Sequence, residues 1–264
     1  AAAGDLVLHE IGASLMSDPR HIPLPGSHNI RDLGGWPTPH GETAFRRVLR
    51  ADSLHRLDEE GLEALRDLGL TLVVDLRRAE ELALAPNPFA RGVPGVRYVH
   101  VSLFEDLDPS GEALVAAAAE PDLLLALYRL ALARRGAAFV EVLSLIARAG
   151  PGAVLFHCAA GKDRTGIVVG VLLAVLDVPR ATVVADYLRT NEVLPTLWDR
   201  LRAWGQPEPD DEALLGVDAA ALEAVLDDLD AHPTGPAGRL REWGVGDDDL
   251  RRLAERLLEP VLPH

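Results

Sequence analysis

The chain has 264 residues, 48% of them apolar, enough to bury a sizeable core in one large domain or two small ones. Its formal charge is −15, from 26 Lys and Arg against 41 Asp and Glu, which excludes broad binding to nucleic acid or anionic membranes. The single cysteine excludes an internal disulfide, and no uncharged apolar run of 18 residues offers an integral membrane segment.

Taken in order, residues 1–20 read as an N-terminal extension, because Met16-Ser17-Asp18-Pro19 has the look of a native start. No basic n-region marks a signal peptide there, so the cytoplasm is the expected location, with export lacking a recognisable signal as the alternative. Residues 21–264 read as one domain without repeats or a long linker. Asn29 to Gly35 carries Arg31 and Asp32 beside two glycines and reads as an Arg–Asp pair bracing a turn. Val48-Leu49-Arg50-Ala51 is a short strand. Asp58 is an N-cap, with Leu57 and Leu62 placed as a hydrophobic staple. Leu62, Leu65 and Leu68 then share a helical face, and Gly69 supplies the stop. Leu70 to Leu76 is an apolar strand, and Asp75 at its end reads as structural.

Val96 to Val101 alternates like a strand and leads into an acidic loop, Phe104-Glu105-Asp106-Leu107. Residues 110–149 read as two or three helices: an alanine-rich one at 113–119, then 122–134 and 137–149. Ala153 to Phe156 is a buried strand, and Ile167 to Leu176 is apolar on all sides, as a buried helix is. Helices are expected at 181–190, 194–204, 219–230, 237–243 and 247–258, with 205–211 as a connection and 232–236 as a break. The expected fold is α/β: a central, mostly parallel sheet of about four strands flanked by helices, with a helical C-terminal third.

Between the last strand and the buried helix lies His157-Cys158-Ala159-Ala160-Gly161-Lys162-Asp163-Arg164-Thr165-Gly166, which holds the only cysteine and the only lysine of the chain. A helix N-terminus presents unpaired N–H groups and a positive dipole end, and so binds anions. A cysteine placed there is prepared to act as a thiolate nucleophile. Arg164 offers a planar fork for two oxygens of a phosphate. Gly161 and Gly166 let the backbone curl so that the N–H groups of Ala159 to Arg164 can point inward. Thr165 can donate a hydrogen bond to the cysteine sulfur. These parts suit in-line attack of sulfur on a phosphate monoester. Gly161-Lys162 is followed by Asp163, so the loop is no Walker A motif. No metal is required: no His/Cys/Asp cluster has ligand spacing, and no cofactor is implied. A leaving oxygen needs a proton, which a carboxylic acid on the loop after the Val96 to Val101 strand, or Asp163, can supply.

The loop resembles the signature of the cysteine-dependent protein tyrosine phosphatases, and more narrowly that of their bacterial and fungal tyrosine and lipid phosphatase group. Asn29 to Gly35, Leu49 to Leu54, Val74 to Arg77 and Ala185 to Asn191 carry further matches, so the resemblance runs from about residue 22 to near the C-terminus. It implies a phosphatase-like fold and a phosphocysteine intermediate on Cys158. Arg164 and residues 159–164 would then bind phosphate, with His157 and Thr165 in support. It makes Asp106 a candidate acid by local pattern. Most tyrosine phosphatases lack an acid at the position of Asp163, which keeps Asp163 as its rival, to protonate the leaving group, orient Arg164 or steer the hydrolytic water. The helices inserted after residue 110 would cover the site. Phosphotyrosine protein is the default substrate. Lys162 resembles the extra base of phosphoinositide phosphatases, whereas Ala159 stands where these often carry a second lysine. Two other classes use such a loop: a non-catalytic phospho-binding module, and an enzyme of the rhodanese or arsenate reductase kind.

Overall fold

In the computed structural model, which describes residues 18–104, 123–203 and 216–260, four parallel strands form the frame. They are β4 (Val48–Ala51), β5 (Leu70–Asp75), β6 (Arg97–His100) and β7 (Ala153–His157). A fifth strand, β1 (Arg31–Asp32), pairs antiparallel with β4, giving the order β1-β4-β7-β5-β6. Every residue of β4 and β7 is buried, because helices cover both faces of the sheet. Alternation sorts the side chains: Leu49, Val73 and Leu155 join one core, while Val48, Val74, Val154 and Phe156 join the other.

On the first face lies α1 (Glu59–Asp67), started by Asp58, whose side chain accepts from the Gly61 N–H at 2.9 Å. Gly69 follows with φ +80°, as a helix stop requires. The other core gathers α3 (Leu123–Arg134), α4 (Gly136–Ala147), α5 (Asp163–Val175) and α6 (Arg180–Leu188). The C-terminal third adds α7 (Thr190–Ala203), α8 (Ala219–Asp230), α9 (Gly235–Trp243) and α10 (Asp247–Leu257). Among the described residues, no helix is long and apolar enough to cross a membrane.

The structure departs from the sequence reading in several places. The mostly parallel sheet of about four strands is present, but it gains a short antiparallel fifth, because Arg31 and Asp32 are a strand and not a braced turn. Short elements carry no periodicity and were not expected: α2 (Ala79–Leu84), a 3₁₀ turn at Pro88–Arg91, β2 (Pro37–Thr38) and β3 (Gly41–Thr43). Leu258, expected as the end of the last helix, instead opens β8 (Leu258–Glu259) and pairs with Thr43 of β3. The helix expected at 113–119, the connection at 205–211 and Asp106 lie outside the described residues.

Register brings the strand ends together. Ala51 pairs with His157, and Asp75 pairs with both His157 and His100. The segments that follow these strands therefore leave from one edge of the sheet, where parallel α/β folds place their sites.

Candidate active site

The loop from Cys158 to Lys162 leaves β7 and enters α5. Its carbonyls are tied outward. Ala159 O accepts from Ser53 N at 2.9 Å, and Ala160 O from Asn29 Nδ2 at 2.9 Å. Gly161 O accepts from Arg50 Nη2 at 2.8 Å and Asn29 Nδ2 at 3.2 Å. In a planar trans peptide the following N–H points opposite to the carbonyl. The N–H groups of Ala160, Gly161 and Lys162 are thereby turned to the inner side of the loop. The first helical bond of α5 runs from Gly166 N to Lys162 O at 2.8 Å, so the N–H groups of residues 163–165 also precede the helix ladder. Gly161 has φ +65°, and a Cβ there would lie 2.6 Å from Ala51 O, so the turn admits only glycine.

A buried ionic network holds the donors that shape this loop. Arg50, fully buried, donates to Asp186 Oδ2 at 2.6 Å, and Arg31 approaches Asp186 Oδ1 at 3.5 Å. Arg31 also donates to Asn29 Oδ1, which fixes the Asn29 amide that reaches the loop. Burial and then the neighbouring Arg50 push the Arg31 guanidinium down to about 10. Burial alone would raise the Asp186 carboxyl, but Arg31 and Arg50 hold it below the usual range. Arg31 and Asp32 therefore do not brace one another. Asp32 accepts instead from the backbone of Gly34 and Arg46, both at 2.8 Å. Asp52 accepts from His28 N and Asn29 N at 3.1 Å and from Ser27 Oγ, which seats the Asn29 segment against the loop.

His157 lies behind the loop. Its Nδ1 donates to Cys158 O at 3.0 Å, and its Nε2 is 3.2 Å from Asp75 Oδ2. Asp75 accepts from Arg77 at 2.9 and 2.8 Å, and also from Asn87 and Tyr98. Burial would push the Asp75 carboxyl up; His157 and the Arg77 fork hold it well below the usual carboxylate range. Asp75 is wholly buried and saturated with partners, which makes it part of the frame under the loop.

Cys158, 2% exposed, forms the floor of a cavity of about 260 Å³. Thr165 Oγ1 donates to its sulfur at 3.2 Å. Ala159, Ala160, Lys162, Asp163 and Arg164 line the same cavity, and Phe104, Leu124, Leu127, Tyr128 and Trp198 form its apolar walls. Lys162 Nζ donates to Gly216 O at 3.1 Å and stands 3.5 Å from Asp163 Oδ2. Arg164 is gripped by Glu81: Nη2 donates to Oε1 at 2.9 Å and Nη1 to Oε2. Burial would raise the Glu81 carboxyl, but Arg164 pulls it below its ordinary value. This end-on grip leaves the Nε edge of the guanidinium for a second anion.

The structure thus brings together the residues that the sequence singled out, Asp106 apart. Sequence reasoning missed Glu81, Tyr128 and Trp198, which come from separate elements with no motif around them; Phe104 stood inside the pattern around Asp106 but was not singled out as a wall of the site. Asn29, Arg50 and Asp186 sit inside the matched stretches, but their buried network could not be read from spacing.

A cysteine under inward-facing N–H groups, with an arginine six residues on and a hydroxyl on its sulfur, is the equipment of a cysteine-based phosphatase. Residues 22–259 match the tyrosine phosphatase family. The chain is 32% identical to the triple specificity protein phosphatase PtpB of Mycobacterium tuberculosis, over 89% of this chain and 98% of that protein. It is 34% identical to a tyrosine-protein phosphatase of Nostoc commune, over 79% of this chain and 73% of that one. The chain belongs to the tyrosine phosphatase family, as a hydrolase of the cysteine-based superfamily. That membership sets aside the non-catalytic and sulfur-transfer readings.

Proposed function

We propose that this chain hydrolyses phosphotyrosine in proteins, with Cys158 as nucleophile and Asp163 as the proton donor. The phosphate lies over the loop, held by its N–H groups and the Arg164 guanidinium. The Cys158 thiolate attacks phosphorus, and the Sγ–P bond forms as the bond to the tyrosyl oxygen breaks. Asp163 gives its proton to that oxygen, which leaves as a phenol. Water then attacks the phosphocysteine, Asp163 takes up a proton from it, and phosphate departs with the thiolate restored. Electrostatic positioning carries most of the work, as in other phosphoryl transfers.

The observation that carries this reading is the cavity itself. Its floor is Cys158 and its walls are Phe104, Leu124, Leu127, Tyr128 and Trp198, which suit an aryl ring above the phosphate. Asp163 lines that cavity, which supports it as the acid; Asp106 lies outside the described residues. A second reading extends the substrates to phosphoserine, phosphothreonine and phosphoinositides. Lys162 on the cavity wall supports it, as does the triple specificity in the name of the mycobacterial relative. A panel of phosphotyrosine peptide, phosphoserine peptide and a phosphoinositide monophosphate tests both readings. Phosphotyrosine should be turned over with the highest kcat/KM. A Lys162→Ala variant that loses phosphoinositide turnover alone would favour the second reading, and a native preference for the lipid would overturn the first.

A further inference from the structure

Helices α3 and α6 meet at two phenol hydroxyls over the first turn of α5. Tyr128 and Tyr187 are 0% and 1% exposed, and their rings meet edge to face at 6.4 Å. Packing alone would be served by two phenylalanines, and a buried hydroxyl is costly unless it bonds. Both hydroxyls do bond. Tyr128 Oη lies 2.7 Å from Tyr187 Oη and donates to Asp163 Oδ1 at 3.0 Å. Each phenol has one hydrogen, and an ionised carboxylate only accepts. The Tyr128 hydrogen therefore goes to Asp163 and the Tyr187 hydrogen to Tyr128, a one-way chain that ends on Oδ1. Burial, Asp163 and the mutual contact push Tyr128 well above its ordinary range, and burial does the same to Tyr187, so both hydrogens stay in place at working pH.

The chain has a consequence for Asp163, which is the first residue of α5 and has a side chain 27% exposed at the cavity wall. A proton on Oδ1 would reverse the chain and leave the buried Tyr187 hydrogen without an acceptor among the described residues, so the carboxyl proton belongs on Oδ2. The contact also fixes the rotation of the carboxyl plane. Gly166 belongs to the same device: a Cβ there would meet the Tyr187 ring at 2.7 Å and push α6 away.

We propose that Tyr128 and Tyr187 are positioning residues that lock the Asp163 carboxyl, so that Oδ2 delivers the proton to the leaving oxygen. The proposal rests on the reading of Asp163 as the acid. It extends the site to two helices that carry none of the loop.

The test is the dependence of kcat/KM on the leaving group, measured on the full chain with p-nitrophenyl phosphate and phenyl phosphate. Protonation matters little for p-nitrophenolate and much for phenolate. In Asp163→Asn the ratio of the two kcat/KM values should rise about 100-fold, the lower end of general acid catalysis. In Tyr128→Phe it should rise about 10-fold, and in Tyr187→Phe by less, since the bond to Oδ1 survives there. A merely structural role would lower both substrates together and leave the ratio unchanged. An unchanged ratio in Tyr128→Phe, beside a raised one in Asp163→Asn, overturns the positioning proposal alone. An unchanged ratio in Asp163→Asn overturns the acid reading itself. Circular dichroism checks each fold. Should Tyr128→Phe fail to fold, Tyr187→Phe carries the test, and an unchanged ratio there overturns the proposal.

Discussion

Removing either side of the Arg50–Asp186 pair should separate the stability of the frame from the shape of the loop. Asp186 is a single buried carboxylate facing two buried guanidiniums, from Arg31 at 3.5 Å and Arg50 at 2.6 Å. Asp186→Asn leaves those two cations facing one another with only the pull of Glu192 on Arg31 to offset them, and uncompensated buried charge costs about 3–5 kcal/mol. Arg50→Met leaves the Arg31–Asp186 pair neutral. It loses the charged bonds to Asp186 and Gly161 O, about 1.5–3 kcal/mol each. The two costs overlap, so both variants should lose several kcal/mol in urea unfolding. Phosphate binding should separate them, because Arg50 itself holds the Gly161 carbonyl outward. Product inhibition by inorganic phosphate reads that binding, and its Ki should rise about tenfold or more in Arg50→Met, for one lost charged hydrogen bond. A loss of stability below about 1.5 kcal/mol in either variant, or an unchanged Ki in Arg50→Met, would overturn this picture of the network.

Two further outcomes follow from the site. Glu81→Gln removes the charge that aims Arg164, and KM for an aryl phosphate should rise about tenfold; a fall in KM would show that Glu81 instead competes with phosphate for the guanidinium. Burial first, and then Arg56, Arg77 and His157, push the half-buried His55 imidazole down to about 4. The unfolded chain, with His near 6.5, binds that proton more readily, so this contribution to stability is full above about pH 6.5 and is lost as pH falls towards 4. Urea midpoints at pH 7 and pH 5 check the sign, and His55→Asn should shrink the difference between them; an unaltered difference counts against it.

The loop was legible because its chemistry is concentrated in ten consecutive residues, with the lone Cys158 and lone Lys162 side by side. The frame strands were legible because burial on both faces leaves unbroken apolar runs, as in Ala153 to Phe156. Arg31 shows where local reading fails. Its sequence neighbour Asp32 looked like its partner, but strand alternation sends the two to opposite faces, and its charge partner Asp186 lies 155 residues away. Glu81 was hidden because none of the residues of α2 is buried, so no periodic face marks the helix. Tyr128 reaches Asp163 across 35 residues, and a tyrosine in a leucine-rich helix reads as core until the partner of its hydroxyl is seen. Leu258 left the helix for a strand because β3 offered it a pairing edge, which only the tertiary fold supplies.

Cys158 as nucleophile, with no metal in the reaction, is tested most directly by phosphate release from p-nitrophenyl phosphate, measured for the native chain and for Cys158→Ser, each with excess EDTA. Turnover should persist in EDTA and disappear with Cys158→Ser. Turnover that survives the substitution would remove Cys158 from that role, and turnover that EDTA abolishes in the native chain would bring in a metal.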